Sequence, residues 1–249
     1  MAAVSVIIPA YNHAAFLGQT IESALNQTWQ DFEIIVVDDG SRDETPQVAA
    51  RFGSAIRYIR QANHGMAATR NNGIRQASGE VISFLDDDDL WLPNYLSTVM
   101  FYFESDPALA AIHTGFQLTS DEKGRDFPQQ GTRTVLASDL YDTLIEGGFF
   151  PPSSVSVRKS CLGSVGLFDE RLQGYADWEL WLRICRDHKF IGIPDILIKY
   201  RLHAGGLSSN VQHMIEDRLK AVCKHFGPPD GQITTWPRDK RRADRKSVV

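Results

Sequence analysis

Short apolar runs alternate with segments of helical periodicity through the first hundred residues. The runs are bounded by polar or turn-forming residues, as is typical of strands buried in a sheet. They cover Val4 to Ile8, Glu33 to Val37, Ile56 to Ile59 and Val81 to Leu85. Between the runs, apolar side chains recur every three or four positions, as at Leu17, Ile21 and Ala24. The pattern predicts four strands that alternate with helices.

This alternation predicts an α/β fold with a Rossmann-like, mostly parallel central sheet and helices on both faces. Polar residues directly follow three of the predicted strands: Tyr11 and Asn12, Asp38 and Asp39, and the acidic run Asp86 to Asp89. In such sheets, ligands bind beyond the carboxyl ends of the strands, where the strand order reverses. We therefore expect the three loops to converge on one crevice.

The second half of the chain is less regular. Its patterns predict strands at Leu109 to Thr114, Ser154 to Val157, Phe190 to Ile193 and Ile196 to Tyr200, and a polar loop at Thr119 to Gln130. Helical stripes begin at Asp177 and at Val211. We predict one domain over residues 1–226. It would consist of a first half over residues 1–105 and a second half over residues 106–226, followed by a basic, disordered tail at 227–249.

Composition and charge restrict the possible functions. With 249 residues, of which 43% are hydrophobic and 23% charged, the chain resembles an ordinary soluble protein. A formal net charge of −5 argues against nucleic-acid binding, which needs a basic face. No apolar run reaches the roughly 18 residues that span a bilayer, and the first residues lack a signal-peptide pattern. Because the three cysteines form no CxxC pair, we expect a reducing, cytoplasmic setting.

The segment Arg238 to Val249 is basic, with six Lys or Arg residues against two Asp. A solvated tail is the simplest interpretation. The alternative is weak peripheral contact with the inner membrane face, since each basic residue near anionic lipid contributes about 1 kcal/mol.

The acidic run after the fourth strand is the most informative segment. Four adjacent carboxylates repel one another, and a divalent cation would remove that repulsion because hard cations prefer clustered carboxylate oxygens. The run therefore predicts a diphosphate site bridged by Mn²⁺ or Mg²⁺. One alternative is an acidic helix N-terminus before Pro93. An EF-hand loop fits poorly, because Leu90 and Trp91 occupy positions where that motif needs a polar residue and a glycine.

Several segments, in order from Val4 to about Ser209, resemble a family-2 glycosyltransferase with the GT-A fold. They are Val4 to Asn12, Val37 to Ser41 with Asp43 and Thr45, Ala68 to Asn71, Gly79 to Asp89, Val165 to Asp169, Asp177 to Arg183, and Tyr200 to His203. The resemblance implies an inverting transfer of a sugar from a nucleotide diphosphate, with UDP- or dTDP-sugars as the expected donors. The acceptor would be a hydroxyl of a glycan, a lipid-linked oligosaccharide or a protein, in cell-surface glycan synthesis.

The resemblance also implies roles by position. Donor binding falls to Pro9, Tyr11, Asn12, Asp39, Arg70, Asp86 and Asp87. Tyr11 would contact the base, and Asp39 would accept a ring N–H of uracil or thymine. The open alternatives are core packing for Tyr11, a turn residue for Asp39 and a surface arginine for Arg70. Asp86 and Asp88 occupy the DxD positions, with Asp88 as the direct metal ligand.

His203 lies where the resemblance implies a further metal or diphosphate ligand, while His13 and the other histidines are given no role. Asp177 is the expected general base, which would take the proton of the attacking hydroxyl; its alternative is a helix N-cap. Ala176 replaces the Glu that usually precedes this Asp, which weakens any prediction of an acidic pair. The QxxRW element of processive members lacks its Trp here, so we expect one sugar per encounter.

Two rival functions are weighed against this prediction. A nucleotidyltransferase would need a glycine-rich basic loop after the first strand, which the segment from Pro9 to Asn12 does not provide. We would expect a non-catalytic nucleotide-sugar-binding protein to have a degenerate site that lacks some of the acidic residues. In this chain all the expected acidic positions are occupied.

Overall fold

The computed structural model describes residues 2–120, 125–126, 140–145, 150–203 and 211–227. Among these residues lie eight helices and nine strands. The helices are α1 (Ala14–Leu25), α2 (Thr45–Ala50), α3 (Met66–Gln76), α4 (Tyr95–Ser105), α5 (Leu140–Ile145), α6 (Lys159–Val165), α7 (Ala176–Asp187) and α8 (Val211–Phe226). The strands are β1 (Val4–Ala10), β2 (Phe32–Asp38), β3 (Arg57–Arg60), β4 (Val81–Phe84), β5 (Leu90–Trp91), β6 (Leu109–Ser120), β7 (Arg125–Asp126), β8 (Val155–Arg158) and β9 (Lys189–Leu202).

One sheet joins all of these strands, in the order β3-β2-β1-β4-β8-β6-β9-β5, with β7 paired to β6. Strands β1 to β4 pair in parallel, as predicted for the first half. Strand β8 runs antiparallel to both of its neighbours, β4 and β6, so the second half of the sheet is mixed. The α/β class predicted from the sequence is confirmed.

Three of the four predicted strands, β1, β2 and β4, are covered on both faces of the sheet, whereas the edge strand β3 is only partly buried. Along β1 and β2 the side chains alternate between two cores: Val6 and Ile8 pack on the side of α1 and α4, whereas Ile7 and Ile35 pack on the side of α3 and α7. A strand that is buried on both faces reads as a continuous apolar run, which is why the sequence pattern identified it. No helix over the described residues has the length and apolar content that crossing a membrane requires.

Strand order reverses beside β1. The chain leaves β1 for β2 on one side and returns on the other side through β4, so the loops after β1 and β4 lie next to each other. Such a reversal opens a crevice at the carboxyl ends of the strands. The convergence expected from the polar loops therefore has its structural basis here.

Strand β9 differs from the prediction. The sequence predicted two short strands, but one strand runs over 14 residues. Its pairing with β6 shifts from His113 beside Gly192 to Gly115 beside Ile196, so four residues on β9 match two on β6. The bulge contains a proline, which has no N–H for the ladder, and the local pattern therefore looked like a break between strands.

Other differences lie in short or non-local elements. Strand β6 continues to Ser120, beyond the predicted Thr114, because it pairs with β9 rather than because of its own pattern. The two-residue strand β5 and helix α6 were not predicted. Most of the predicted polar loop and residues 228–249 of the predicted tail lie outside the described residues.

Replacing Gly79 with alanine should destabilise the protein. The new Cβ would lie 2.6 Å from Ser5 N and 2.7 Å from Val4 C, and backbone atoms cannot give way cheaply. Overpacking of this kind costs about 1–3 kcal/mol. Gly163 in α6 is the matched control, because its Cβ would meet no atom within 4 Å. Gly163→Ala should stabilise the protein by up to about 1 kcal/mol. Urea unfolding measures both variants, and equal free energies of unfolding would contradict the prediction.

Candidate active site

Two adjoining cavities lie at the carboxyl ends of the parallel strands. The first, about 280 Å³, is lined by the acidic run together with residues of α3, the segment before α7, the end of β9 and α8. The second, about 340 Å³, lies over the ends of β1 and β2. His13, Met66 and Gln173 line both cavities, so the two form one continuous cleft.

The backbone of the acidic run is fixed from α1. Thr20 is buried, and its hydroxyl donates to the carbonyl oxygens of Asp87 (3.0 Å) and Asp89 (2.9 Å). Strand β5 separates the run from helix α4, which begins only at Tyr95. The alternative of an acidic helix N-terminus therefore does not apply.

Three of the four carboxylates each face a different basic side chain. Arg70 reaches Asp86 at 2.6 Å, His13 reaches Asp87 at 2.7 Å, and His203 reaches Asp88 at 2.8 Å. The pKa values of Arg70 and His13 are both raised, that of His13 to about 9, so these two side chains balance the charges of Asp86 and Asp87. Repulsion among the aspartates does not by itself demand a metal ion, contrary to the argument from sequence, and the case for a metal rests on the ligand set.

The fourth carboxylate, Asp89, accepts hydrogen bonds from the Ser153 hydroxyl at 2.5 Å and from Arg201 N at 3.0 Å. Asp89 is fully buried, and burial together with the charge of Asp88 raises its pKa well above the ordinary value. Ser153 also accepts from Asp86 N. The sequence analysis gave Asp89 no role, although it links the acidic run to the segment before β8 and to the end of β9 that carries His203.

The second cavity contains the residues expected at the nucleotide base. Tyr11 is 38% exposed, so it is not a core residue. Asp39 is buried and accepts three hydrogen bonds: Oδ1 from Gln61 Nε2 and His64 N, and Oδ2 from Gly65 N. Gly65 has a φ of +88°, a conformation that favours glycine. Asp39 thus fixes the turn that precedes α3 and still faces the cavity.

Pro9 and Asn12 do not line either cavity. Pro9 is buried within β1, beside Val37. Asn12 adopts a φ of 54°, and its side-chain oxygen accepts from Arg42 N at 2.8 Å. Pro9 is therefore part of the strand and Asn12 orders the loop after it, and neither lines the cleft.

Arg70 lies between two carboxylates of the first cavity. It is 6% exposed, which excludes a surface arginine, and its Nε has no hydrogen-bond partner among the described residues. Burial favours a neutral guanidinium, but the charges of Asp86 and Asp177 outweigh it and raise the pKa of Arg70. Asp86 and Asp177 are therefore both within electrostatic reach of this cation.

Asp177 lies in the first turn of α7 and lines the first cavity. The helix N-cap is Tyr175, so Asp177 is not the cap, although its Oδ1 accepts from Trp178 N at 2.7 Å. Burial raises its pKa to about 6, against the opposing charge of Arg70. A carboxylate with this pKa is deprotonated at neutral pH and basic enough to accept a proton.

Helix α8 supports the segment that leads to Asp177. Asp217 is buried and accepts from Gln173 N at 2.6 Å and from Gly174 N at 2.8 Å. The Met214 side chain packs so closely on Gly174 that a Cβ there would lie 2.4 Å from its sulfur. Side chains of α8 therefore support the cavity wall beside Asp177.

A ligand set for a divalent cation lies at the mouth of the first cavity. One atom each of His13, Asp88 and His203 lies within 4.8 Å of the others. Two imidazoles and a carboxylate together can bind a divalent transition-metal ion, so these residues fit a metal. The sequence predicted Asp88 as a metal ligand and His203 as a metal or diphosphate ligand, whereas it gave no role to His13, which is distant in sequence from both.

Comparison with known proteins agrees with this geometry. Residues 5–170 match the sequence profile of Glycosyl transferase family 2. An uncharacterized glycosyltransferase of Rickettsia prowazekii is 32% identical over 223 residues, covering 86% of this chain and 68% of that protein. One from a Nostoc species is 33% identical over 215 residues, covering 80% and 65% respectively. The curated relatives differ in length, and the chain spans from 30% to 75% of them.

Solved structures with low sequence identity share the fold. TarS of S. aureus, residues 1–349 in complex with UDP-GlcNAc, has a TM-score of 0.74 at 19% identity, over 100% of this chain and 74% of that one. The mannosyltransferase PcManGT of Pyrobaculum calidifontis, in complex with GDP-Man and Mn²⁺, has a TM-score of 0.68 at 19% identity, over 94% and 67%. The chain belongs to glycosyl transferase family 2 and is a glycosyltransferase with the GT-A fold.

Proposed function

We propose that this chain transfers one sugar per encounter from UDP- or dTDP-sugar to an acceptor hydroxyl, with inversion and with a divalent cation, in cell-surface glycan synthesis. The proposal rests on the first cavity, which is lined by Asp177, by Arg70 and by Asp86 to Asp88 of the acidic run. The raised pKa of Asp177 makes its carboxylate able to accept a proton. One cavity thus offers a group for the leaving diphosphate and a separate group for the attacking hydroxyl.

The nucleoside is assigned to the second cavity, with Tyr11 and Asp39 as its contacts. A carboxylate has about four lone-pair sites, and Asp39 uses both sites of Oδ1 and one of Oδ2 for the turn before α3. One acceptor site remains. Uracil and thymine present a single ring N–H, whereas guanine presents two adjacent N–H groups. The remaining site therefore suits a uracil or thymine base.

The diphosphate is assigned to the junction of the two cavities, beside Arg70 and the acidic run. Asp88 and His203 would hold the cation, Mn²⁺ or Mg²⁺, and Asp86 and Asp87 would support the site through Arg70 and His13. When bound, the cation would stabilise the charge that develops on the departing nucleoside diphosphate. The relative solved with GDP-Man and Mn²⁺ supports this assignment by its fold.

Asp177 is assigned as the general base. The acceptor oxygen attacks the anomeric carbon, the bond from that carbon to the diphosphate breaks, and the hydroxyl proton passes to the Asp177 carboxylate. Attack on the face opposite the leaving group inverts the anomeric centre. Burial keeps the carboxylate basic, and the Trp178 N–H at 2.7 Å fixes its orientation.

The acceptor is assigned to the half of the domain from residue 106 to 226, and the donor to residues 1–105. Arg183, in the segment that replaces the QxxRW element, is held by Glu179 and by the carbonyls of Val165 and Leu167. Single-sugar transfer is proposed because Ile184 stands where the QxxRW element has its Trp. The acceptor class and membrane contact by residues 227–249 stay predictions.

Base selectivity should be measurable with nucleoside diphosphates alone. We expect UDP and dTDP to bind more tightly than CDP by roughly tenfold to a hundredfold. Cytosine turns a lone pair toward Asp39 where uracil turns an N–H, and a hydrogen bond to a charged group contributes about 1.5–3 kcal/mol. Isothermal titration calorimetry with Mn²⁺ measures the dissociation constants. Tighter binding of GDP than of UDP would contradict the assignment.

Asp177→Asn should reduce kcat by about 10² to 10⁴ while the donor dissociation constant stays unchanged, because the amide cannot take the proton. The measurement is turnover with an acceptor mixture, together with calorimetry of the donor. Asp187→Asn, at the exposed far end of α7, is the matched control and should keep full turnover. Wild-type turnover of Asp177→Asn would remove Asp177 as the base.

The pKa of Asp177 predicts the pH dependence of turnover. Burial raises that pKa to about 6, so the base is deprotonated and active above pH 6. Below pH 6, kcat/KM should fall about tenfold per pH unit. A base with the ordinary aspartate pKa would stay deprotonated, and the enzyme active, down to about pH 4. Donor affinity measured over the same range separates loss of the base from loss of the metal. A flat kcat/KM down to pH 4.5 would contradict this prediction.

A further inference from the structure

Three segments that are distant in sequence bring two imidazoles and a carboxylate together. His13 follows β1, Asp88 follows β4, and His203 follows β9. One atom of each lies within 4.8 Å of the others, and the two imidazole rings meet edge to face at 5.2 Å between centroids. The His13 and His203 side chains are only 20% and 11% exposed. The sheet order, rather than local sequence, builds this cluster.

His13 is held as metal-binding histidines usually are. Its Nδ1 lies 2.7 Å from Asp87 Oδ1, which leaves Nε2 as the nitrogen free of that carboxylate. A second carboxylate on the far nitrogen of a ligating histidine orients the ring and increases its basicity as a ligand. Asp87 is itself fixed, because its other oxygen accepts from Tyr11 N at 3.0 Å. The ring position therefore depends on a buried network rather than on surface packing.

We propose that His13 is a third protein ligand of the cation, so that the site is rich in nitrogen and selects Mn²⁺ over Mg²⁺. The inference rests on the proposed metal-dependent function. Two ligands about 2.1 Å from one ion lie at most about 4.2 Å apart. One ligand atom of each residue already lies within 4.8 Å of the others, so a small adjustment of the side chains would bring the cluster to this span.

Metal selectivity follows from the ligand chemistry. Mg²⁺ prefers oxygen ligands and retains its waters, whereas imidazole suits softer divalent ions. With Asp88 as the only other protein ligand, one histidine would leave the site open to both ions. Two histidines shift the preference to Mn²⁺. The sequence analysis could not choose between the two metals because it gave His13 no role.

The competing interpretation is that His13 serves only as the counterion of Asp87. In that case its ring would stay outside the coordination sphere, and its removal would disturb both metals equally. Counting the nitrogen ligands of a bound ion separates the two interpretations directly, without reference to turnover.

The experiment uses the tag-free full chain with Mn²⁺ alone and with Mn²⁺ plus UDP. Electron spin-echo envelope modulation of the bound Mn²⁺ detects nitrogen from coordinated imidazole. We expect the signal of two imidazoles in the wild-type protein and of one imidazole in both His13→Ala and His203→Ala. The wild-type measurement decides the question even if a variant fails to fold.

Affinity gives a second readout. His13→Ala should weaken Mn²⁺ binding by at least about tenfold and change Mg²⁺ binding much less, since even partners of ligands affect affinity by 10–100-fold. His188→Ala is the matched control. His188 lies at the end of α7, its imidazole forms a hydrogen bond with Ser164 of α6, and it lines neither cavity. It should leave both affinities unchanged.

The outcomes distinguish this inference from the proposed function. A single coordinated imidazole, lost in His203→Ala and kept in His13→Ala, would overturn the role of His13 and leave the proposed function intact. The absence of any bound Mn²⁺, even with UDP, would overturn both. Equal loss of Mn²⁺ and Mg²⁺ affinity in His13→Ala would identify a counterion and overturn the selectivity.

Discussion

Compensation of four consecutive carboxylates is the constraint on which the site depends. The partners of Asp86 to Asp89 come from four separate segments: Arg70 in α3, His13 after β1, His203 after β9, and Ser153 before β8. Each partner is desolvated together with its acid, and a buried charge without a partner would be costly. The three contacts to basic side chains and the hydrogen bond from the Ser153 hydroxyl together therefore fix the relative positions of the loops that form the cleft.

The first half of this arrangement could be predicted because its signals are local. A strand covered on both faces appears as an apolar run, and polar residues at its carboxyl end indicate a loop of the crevice. Tyr11 and Asp39 line the cleft, as expected of loops at the ends of β1 and β2, whereas Arg70 and Asp177, which also line it, were expected only from the family resemblance. The parallel order β3-β2-β1-β4 then follows from short crossover helices.

The remainder depends on contacts that no local pattern records. His13 carries no signal of its own and reaches Asp88 only because β1 and β4 are neighbours. Asp89 resembled the other acids of the run, yet its side chain is buried against Ser153. Strand β9 gains its length from pairing with β6 across a bulge. In each case sheet topology, rather than residue type, decides the outcome.

Arg70 explains how two carboxylates in one cavity can take different roles. If its charge were shared equally, the pKa of Asp177 would fall and the base would be weak. Instead, Nη2 of Arg70 contacts Asp86 at 2.6 Å, and Asp177 experiences only the more distant field of the cation. Burial outweighs that field and raises the pKa of Asp177 to about 6. Burial also raises the pKa of Asp86 despite the Arg70 contact, so the two acids differ in their contact with Arg70 rather than in the direction of their pKa shifts. In the proposed mechanism, one arginine thus neutralises the acid on the diphosphate side and leaves the acid on the acceptor side able to take a proton.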